Sequence, residues 1–170
     1  MAINPYAGCA ENALLLYNNS TFWMGIGRTT AWPTELAPPS GSVSTTTLEE
    51  PIVYVKAETV SLCKVITSNP DVTVRGQGYK YVLPNDAIAE FARFIYIKAR
   101  FDPSEDQPYA TFRQIAIFSN LEPTQAHIND LWLAPANVLD VGVIKYLENN
   151  APTVMNLNRQ EVIQVMIAFR

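Results

Sequence analysis

Charged side chains are scarce in this sequence, and it contains neither a basic run nor a long apolar run. Asp, Glu, Lys and Arg make up 16% of the 170 residues, against about a quarter in an average soluble protein. The net charge is −4 and the 12 basic residues are scattered, so we expect neither a nucleic-acid nor an anionic-membrane partner. No segment reaches the ~18 uninterrupted apolar residues of a membrane span, and the first residues do not resemble a secretory signal. We therefore expect a soluble protein that is not secreted.

Cysteine and histidine are also rare. The two cysteines, Cys9 and Cys63, have no Cys-x-x-Cys spacing, so they predict neither a zinc site nor a disulfide framework. We expect two reduced thiols, with a disulfide within or between subunits as the alternative in oxidising surroundings. An enzyme would depend on the single histidine, His127, which Asp130 could orient, but no nucleophile motif accompanies it. We therefore predict no enzymatic activity, no cofactor and no metal site.

Two pairs of glycines have the spacing seen in some nucleotide-binding loops. Gly25 and Gly27 lack the third glycine of a dinucleotide loop and its βαβ context, so we expect them to allow a bulge or close packing under Trp23 and Trp32. Gly76 and Gly78 are typical of a hairpin turn.

The sequence is rich in β-branched residues. Val, Ile and Thr account for 40 of the 170 residues, and 12 prolines divide the chain into short pieces, which favours strands over helices. Apolar residues also alternate with a period of two, as at Ile95, Ile97, Ala99 and Phe101. We predict eight strands, at Phe22–Arg28, Ile52–Ala57, Thr59–Ile66, Tyr79–Leu83, Arg93–Phe101, Thr111–Phe118, Val141–Leu147 and Glu161–Phe169.

Two of these strands carry apolar residues on both faces. They are Thr111–Phe118 and Glu161–Phe169, and the pattern indicates either a central strand or a strand that a partner covers. Helix is a minor component. We predict short helices at Ala10–Tyr17 and Asn85–Ala92 from their composition and the spacing of their apolar residues.

These elements predict a mainly β fold, an antiparallel β-sandwich with one or two short helices and long loops. We expect a single sandwich domain over residues 1–170, with an N-terminal segment over 1–20. Extended loops are predicted over 29–51 and 119–140. Both loops carry a tryptophan, and loops this long in a small domain are usually functional, so we expect them to dock onto another surface.

Four stretches share one order with a known family. The first contains Phe22-Trp-Met-Gly-Ile-Gly-Arg28, followed by Trp32-Pro-Thr-Glu35 and Pro38-Pro39. The other three are Tyr109–Asn120, with Phe-Arg-Gln-Ile, then Leu121–Asp130, and Gly142–Pro152 with the terminal strand. Together they resemble the baseplate wedge proteins of contractile-tailed bacteriophages known as gene product eight and their shorter relatives.

The resemblance implies a mostly β virion protein that dimerises, contacts other tail or baseplate proteins and joins a six-fold ring. It carries over no catalytic residue, and it implies assembly in the host cytoplasm. A neck collar protein and a sandwich-type receptor or carbohydrate-binding module are the alternatives. The latter would use Trp32, Trp132 and Tyr109 as stacking platforms.

The interface residues that we predict share an aromatic, proline or motif character, and packing within the subunit is the competing explanation for each. They are Trp32, Pro33, Pro38, Pro39, Trp132, Tyr146 and Glu148.

Overall fold

The computed structural model describes residues 5–103, 110–157 and 159–170. Within the described residues, the chain forms two compact units. Residues 5–20, 58–98 and 164–170 make the first unit, and residues 21–57 and 99–163 make the second. A single domain over residues 1–170 stays a prediction, because compact units can belong to one folding domain.

The described elements are one α-helix, twelve strands and three short 3₁₀ turns. In chain order the helix and strands are α1 Tyr6–Asn19, β1 Phe22–Gly27, β2 Pro51–Lys56, β3 Thr59–Val65, β4 Val72–Val74, β5 Gln77–Val82, β6 Phe94–Phe101, β7 Thr111–Ser119, β8 Glu122–Pro123, β9 Trp132–Leu133, β10 Val138–Asp140, β11 Val143–Val154 and β12 Glu161–Ala168.

The sheet associated with the first unit has the strand order β12-β6-β3-β5-β4. Helix α1 packs against β3 and buries Cys9, Ala10 and Ala13, whose small side chains allow the helix to approach closely. The β4–β5 hairpin turns through Arg75 and Gly76, with φ of 52° and 79°, which are the left-handed conformations of a tight hairpin. A hairpin is therefore present, as predicted, but it turns at Arg75 and Gly76, whereas Gln77 and Gly78 belong to β5.

The second unit holds a sheet with the order β11-β7-β1-β2-β9 and a two-stranded ribbon of β8 and β10. All six residues of β1 are buried, because β1 lies between β7 and β2. Tyr54 meets Phe118 edge-to-face, with ring centroids 5.5 Å apart, in a favourable aromatic geometry. This pair lies in an apolar core that consists of Trp23, Leu48, Tyr54, Ala116, Phe118, Leu121 and Leu133.

The predicted fold class, mainly β with two antiparallel sheets, a short α-helix and long loops, is confirmed. The N-terminal helix is longer than Ala10–Tyr17, and β11 extends beyond the predicted Leu147 to Val154. Within the loop predicted over 119–140, the short strands β8, β9 and β10 are present. None of the described helices is long and apolar enough to span a membrane.

The helix predicted at Asn85–Ala92 is wrong. A 3₁₀ turn covers Pro84–Asp86 and is followed by hydrogen-bonded turns. Phe91 then has a φ of 53°, a left-handed conformation that ends any helical path. So few residues cannot offset the cost of nucleating a helix, although their apolar spacing resembles one.

The two strands predicted to be covered on both faces differ. Strand β7 is central and nearly all buried, as predicted. Strand β12 is an edge strand that buries Ile163, Val165 and Ile167, whereas Val162 is 43% exposed and Gln164 is exposed. A central position for β12 is therefore wrong, and its coverage by a partner stays a prediction.

Both cysteines carry buried thiols rather than forming a disulfide, and burial raises the pKa of the Cys63 thiol to about 12. Since the thiolate is the reactive form, we expect Ellman's reagent at pH 8 to label the folded protein very slowly. In denaturant, two thiols per chain should react at once. Rapid labelling of one thiol in the folded protein would contradict the burial described here.

Candidate functional site

The segment between β1 and β2, residues 28–50, is the candidate site, and we call it the anchored loop. Strands β1 and β2 are antiparallel neighbours, and a loop of two residues can join such strands. The anchored loop is therefore much longer than this connection requires. The ends of the loop meet because the Arg28 N–H donates to the Glu49 carbonyl oxygen at 2.7 Å. The Arg28 guanidinium also pairs with the Glu49 carboxylate. The loop is thus a closed structure with a defined base.

Leu48 fixes the base of the loop to the sheet. Its side chain is 4% exposed and belongs to the apolar core. It reaches this position because Gly25 has no Cβ, and one built there would lie 2.7 Å from Leu48 Cδ1. A Cβ on Gly27 would likewise lie 2.6 Å from the Glu49 carbonyl oxygen. Both glycines are closely packed, as predicted, but their nearest neighbours include Leu48, Tyr54 and Glu49 rather than Trp23 and Trp32. The register of β1 with β2 shifts between Ile26 and Gly27.

Arg113, on β7, holds the middle of the loop. Its side chain reaches Glu35, where Nε lies 3.0 Å from each carboxylate oxygen and Nη2 lies 2.7 Å from Oε1. Its Nη1 donates to the Thr29 carbonyl oxygen at 2.5 Å. Arg113 is only 9% exposed, and a forked, charge-assisted contact of this kind fixes orientation as well as distance. The hydrogen bonds between the two side chains lower the pKa of Glu35 and raise that of Arg113.

A second polar connection runs through Gln114, which is 2% exposed. Its side-chain oxygen accepts from the Glu49 N–H at 2.9 Å, and its amide nitrogen donates to Asn149 Oδ1 at 2.9 Å. Asn149 in turn donates to the Pro39 carbonyl oxygen at 2.8 Å. This chain of hydrogen bonds ties the loop to both β7 and β11.

Trp32 packs within the subunit. It is 6% exposed, its indole N–H donates to the Asn150 carbonyl oxygen at 2.9 Å, and the Arg28 guanidinium lies 3.8 Å from its ring centroid. The Asn150 carbonyl belongs to a stretch of β11 where the register with β7 is irregular, so the indole occupies an acceptor that the ladder leaves open. A ring covered in this way cannot serve as a stacking platform for a sugar.

The Glu50 carboxylate closes the loop at its second end. It accepts hydrogen bonds from the backbone N–H and hydroxyl groups of Thr29 and Thr30, at 2.6 to 2.8 Å. The Thr29 hydroxyl is the largest cause and the Thr30 hydroxyl the next, and together these bonds lower the pKa of Glu50 to about 2. Hydrogen bonds that favour the charged carboxylate have this effect.

The loop nevertheless presents apolar side chains to solvent. Leu36 follows the clamped Glu35 and is 94% exposed, and Val43 is fully exposed. Flexible exposed loops are usually polar, whereas this one is held by buried anchors and carries unburied aliphatic groups. Such a surface is typical of a contact site.

Six of the seven predicted interface residues lie either on the anchored loop, as Trp32 does, or on β11. Pro33 and Pro39 are exposed on the anchored loop, and Pro38 is half-buried there. Tyr146 and Glu148 are half-buried on β11, where the Tyr146 hydroxyl donates to the Glu148 carboxylate. The bonds from Asn149 and Trp32 bring the loop and β11 together.

Trp132 lies apart from these residues. It is half-buried on β9, at the opposite edge of the same sheet from β11. Tyr109, which the carbohydrate-binding alternative would use, lies outside the described residues.

The interface prediction missed residues that hold the loop, among them Glu35, Glu50, Arg113, Gln114 and Asn149. Glu35, Arg113 and Gln114 stand in the motifs that carry the family resemblance. The polar pair Arg113-Gln114 within an otherwise apolar strand also indicates buried partners elsewhere.

The single histidine forms a local contact. His127 Nδ1 lies 2.7 Å from Asp130 Oδ2, as the three-residue spacing suggested, and both side chains are partly exposed. Among the described residues, no three His, Cys, Asp or Glu side chains are grouped so as to hold a metal ion.

Leu48 and Leu36 form a matched pair for testing the anchor. Because Leu48 is buried, we expect Leu48→Ala to lower the free energy of unfolding by about 2–5 kcal/mol. Leu36→Ala, in the same loop but exposed, should change it by less than about 0.5 kcal/mol. Urea denaturation followed by tryptophan fluorescence measures both, and equal effects would contradict the anchoring role of Leu48.

Glu50 should make the stability of the protein depend on pH. Its pKa in the folded state, about 2, lies below the usual value of 4.5, so its contribution is complete above pH 4.5 and is lost as the pH falls towards 2. We expect Glu50→Gln to be less stable than the unmodified protein at pH 7. This difference should shrink between about pH 4.5 and pH 2 in urea denaturation, and a difference that stays constant would contradict the pKa shift.

Comparison with known proteins identifies the family. The family described as baseplate wedge 3 tail fiber network component matches residues 1–169. The chain is also 32% identical, over 134 residues, to virion protein 3 of Enterococcus phage phiEF24C, and the match covers 76% of this chain and 73% of that protein. The resemblance to phage baseplate wedge proteins is therefore confirmed. The chain belongs to the baseplate wedge 3 tail fiber network component family of phage virion proteins.

Proposed function

We propose that this chain dimerises, joins a six-fold ring in the phage baseplate and uses the anchored loop as one of its contact surfaces. Membership of the family gives it a structural role in the phage tail, as part of the virion and with other tail proteins as partners. To this structural role the proposal adds the dimer, the six-fold ring and the contact surface.

The observation that carries the proposal is the contrast between the anchors of the loop and its tip. Arg113, Gln114 and Leu48 are buried and hold the loop, while Leu36 and Val43 extend into solvent. A preformed loop loses little conformational entropy on binding, and its exposed aliphatic groups gain by leaving water. A loop of this kind favours tight contact with a neighbouring subunit.

Further aliphatic groups of the second unit are exposed. Leu131, Leu139, Val143 and Val154 are each more than half exposed, and the chain carries little charge to oppose association. We therefore expect the dimer to bury more than the ~1,600 Å² of a standard interface.

The symmetry of a baseplate sets what each contact must do. A dimer uses the same patch on both subunits, whereas a ring needs two different patches that meet head to tail. A subunit that takes part in both therefore needs at least two contact surfaces. The anchored loop with β11 supplies one candidate, and Trp132 on β9, at the other edge of that sheet, supplies another.

The structure affects the two alternative functions, a neck collar protein and a carbohydrate-binding module, differently. A neck collar protein would use the same kind of contacts and stays a prediction. The carbohydrate-binding alternative loses one of its platforms, because the Trp32 ring is buried beneath Arg28. No enzymatic activity is proposed, since His127 has only Asp130 beside it in the contacts described above.

Light scattering of the purified chain tests the dimer. We expect twice the chain mass of 18.9 kDa at micromolar concentration. A monomer under these conditions would overturn the dimer.

Virion assembly tests the loop. We expect Leu36→Asp, supplied to a phage whose own copy of the gene is disabled, to reduce incorporation of the chain into particles by at least tenfold. Leu36 is exposed, so the variant should fold normally. Thr46→Asp places the same charge at another exposed position of the loop and serves as the control. Normal incorporation of Leu36→Asp would show that the loop is not a contact surface.

A further inference from the structure

The four edge strands of the two five-stranded sheets differ in how well they are protected against pairing with a strand of another chain. Edge strands β4 and β9 have only three and two residues. Edge strand β11 is long, but its register with β7 shifts twice, and it carries Lys145 and Pro152 near those shifts. Short length, irregular register, lysine and proline all discourage pairing with another strand. Edge strand β12 has eight residues without proline or lysine, and no residue from Val162 to Phe169 is charged.

The hydrogen bonds of β12 show which backbone groups face outward. The Phe169 N–H donates to the Arg93 carbonyl oxygen at 3.0 Å, just before β6, which is the neighbour of β12 in the sheet that the described residues form. Backbone groups along a strand point alternately to its two edges. The odd-numbered residues therefore bond towards β6, and the N–H and C=O groups of Val162, Gln164 and Met166 point towards the open edge.

The side chains of β12 follow the same alternation. Ile163, Val165 and Ile167 are buried, whereas Val162 and Gln164 are exposed and Met166 is partly buried. The order Val162-Ile-Gln-Val-Met166 reads the same in both directions in its pattern of apolar and polar residues. A strand of this kind is complementary to an antiparallel copy of itself.

We propose that two copies of this chain pair their β12 strands antiparallel about a two-fold axis at Gln164, which joins their sheets into one. Each Gln164 would bond to the Gln164 of the other copy through its backbone N–H and C=O groups. Val162 of each copy would lie opposite Met166 of the other, with Ile163 opposite Val165. This inference rests on the proposed homodimer and names the surface through which it forms.

A second copy fits this edge better than an unrelated strand for two reasons. With the axis at Gln164, residues on the buried face of one copy lie opposite residues on the buried face of the other. A two-fold axis perpendicular to the sheet requires this arrangement. It also brings no charged side chains of the paired segment together, although the chain as a whole has a net charge of −4. The two Gln164 side chains would lie side by side, where amide groups can both donate and accept.

Disulfide trapping tests the register directly. A cysteine at position 164 would face its own copy at a Cα separation of about 5.5 Å, which a disulfide can span. We expect Gln164→Cys to form a covalent dimer on mild oxidation, seen on a non-reducing gel. The unmodified chain should not, because Cys9 and Cys63 are buried.

Ala168→Cys is the matched control, since Ala168 is exposed on the same strand. In the proposed register, residue 168 lies opposite residue 160 of the other copy. The two introduced cysteines would then be separated by eight residues, or about 26 Å at 3.3 Å per residue. We expect Ala168→Cys to cross-link at least tenfold more slowly than Gln164→Cys, and equal rates would overturn the proposal.

A charge introduced at the axis gives a second test that does not depend on oxidation. Gln164→Lys would place two like charges side by side, so we expect light scattering to show a shift from dimer to monomer. Ala168→Lys should remain dimeric. A monomeric unmodified chain would overturn the homodimer itself. If the unmodified chain is a dimer, but Gln164→Lys stays dimeric and Gln164→Cys does not cross-link, the dimer stands and its contact lies elsewhere, with the β12 edge left to another partner.

Discussion

The position of the anchored loop depends on one interaction, the forked ion pair between Arg113 and Glu35. Arginine is costly to bury unless its donors find partners, and Arg113 satisfies them with the Glu35 carboxylate and the Thr29 carbonyl oxygen. The strand supplies a fixed cation, and the loop supplies the acceptors that the cation requires. Removing either partner would leave a charged group next to apolar strands, so the ion pair orders the loop more strictly than apolar packing alone.

Three other residues also fix the loop in place. Leu48 fills space that two glycines leave open, Gln114 connects the loop to β11, and Glu50 gathers donors from Thr29 and Thr30. Because these contacts lie on both sides of Leu36 in the sequence, this exposed side chain is held on a rigid support. The family is one of baseplate components, and a rigid surface of this kind loses little conformational entropy when a neighbour binds it.

The sequence predicted the regular part of the fold because alternation along a strand is a local signal. Strands of two or three residues, such as β8 and β9, carry no periodicity and were not predicted. The helix expected at Asn85–Ala92 had the right spacing but too little length. The loop was predicted from its length and from Trp32. Its clamp was not, because Arg113 and Glu35 lie 78 residues apart and only the folded chain brings them together.

The space that the missing side chain of Gly25 leaves to Leu48 and Tyr54 has a consequence for how relatives can diverge. A Cβ at this position would lie 2.7 Å from Leu48 and 2.9 Å from the Tyr54 ring, so the three positions share one fixed volume. A bulkier residue in place of the glycine is acceptable only when its two neighbours shrink in the same lineage. Positions 25, 48 and 54 should therefore covary, and a larger residue at position 25 alone should be rare among relatives.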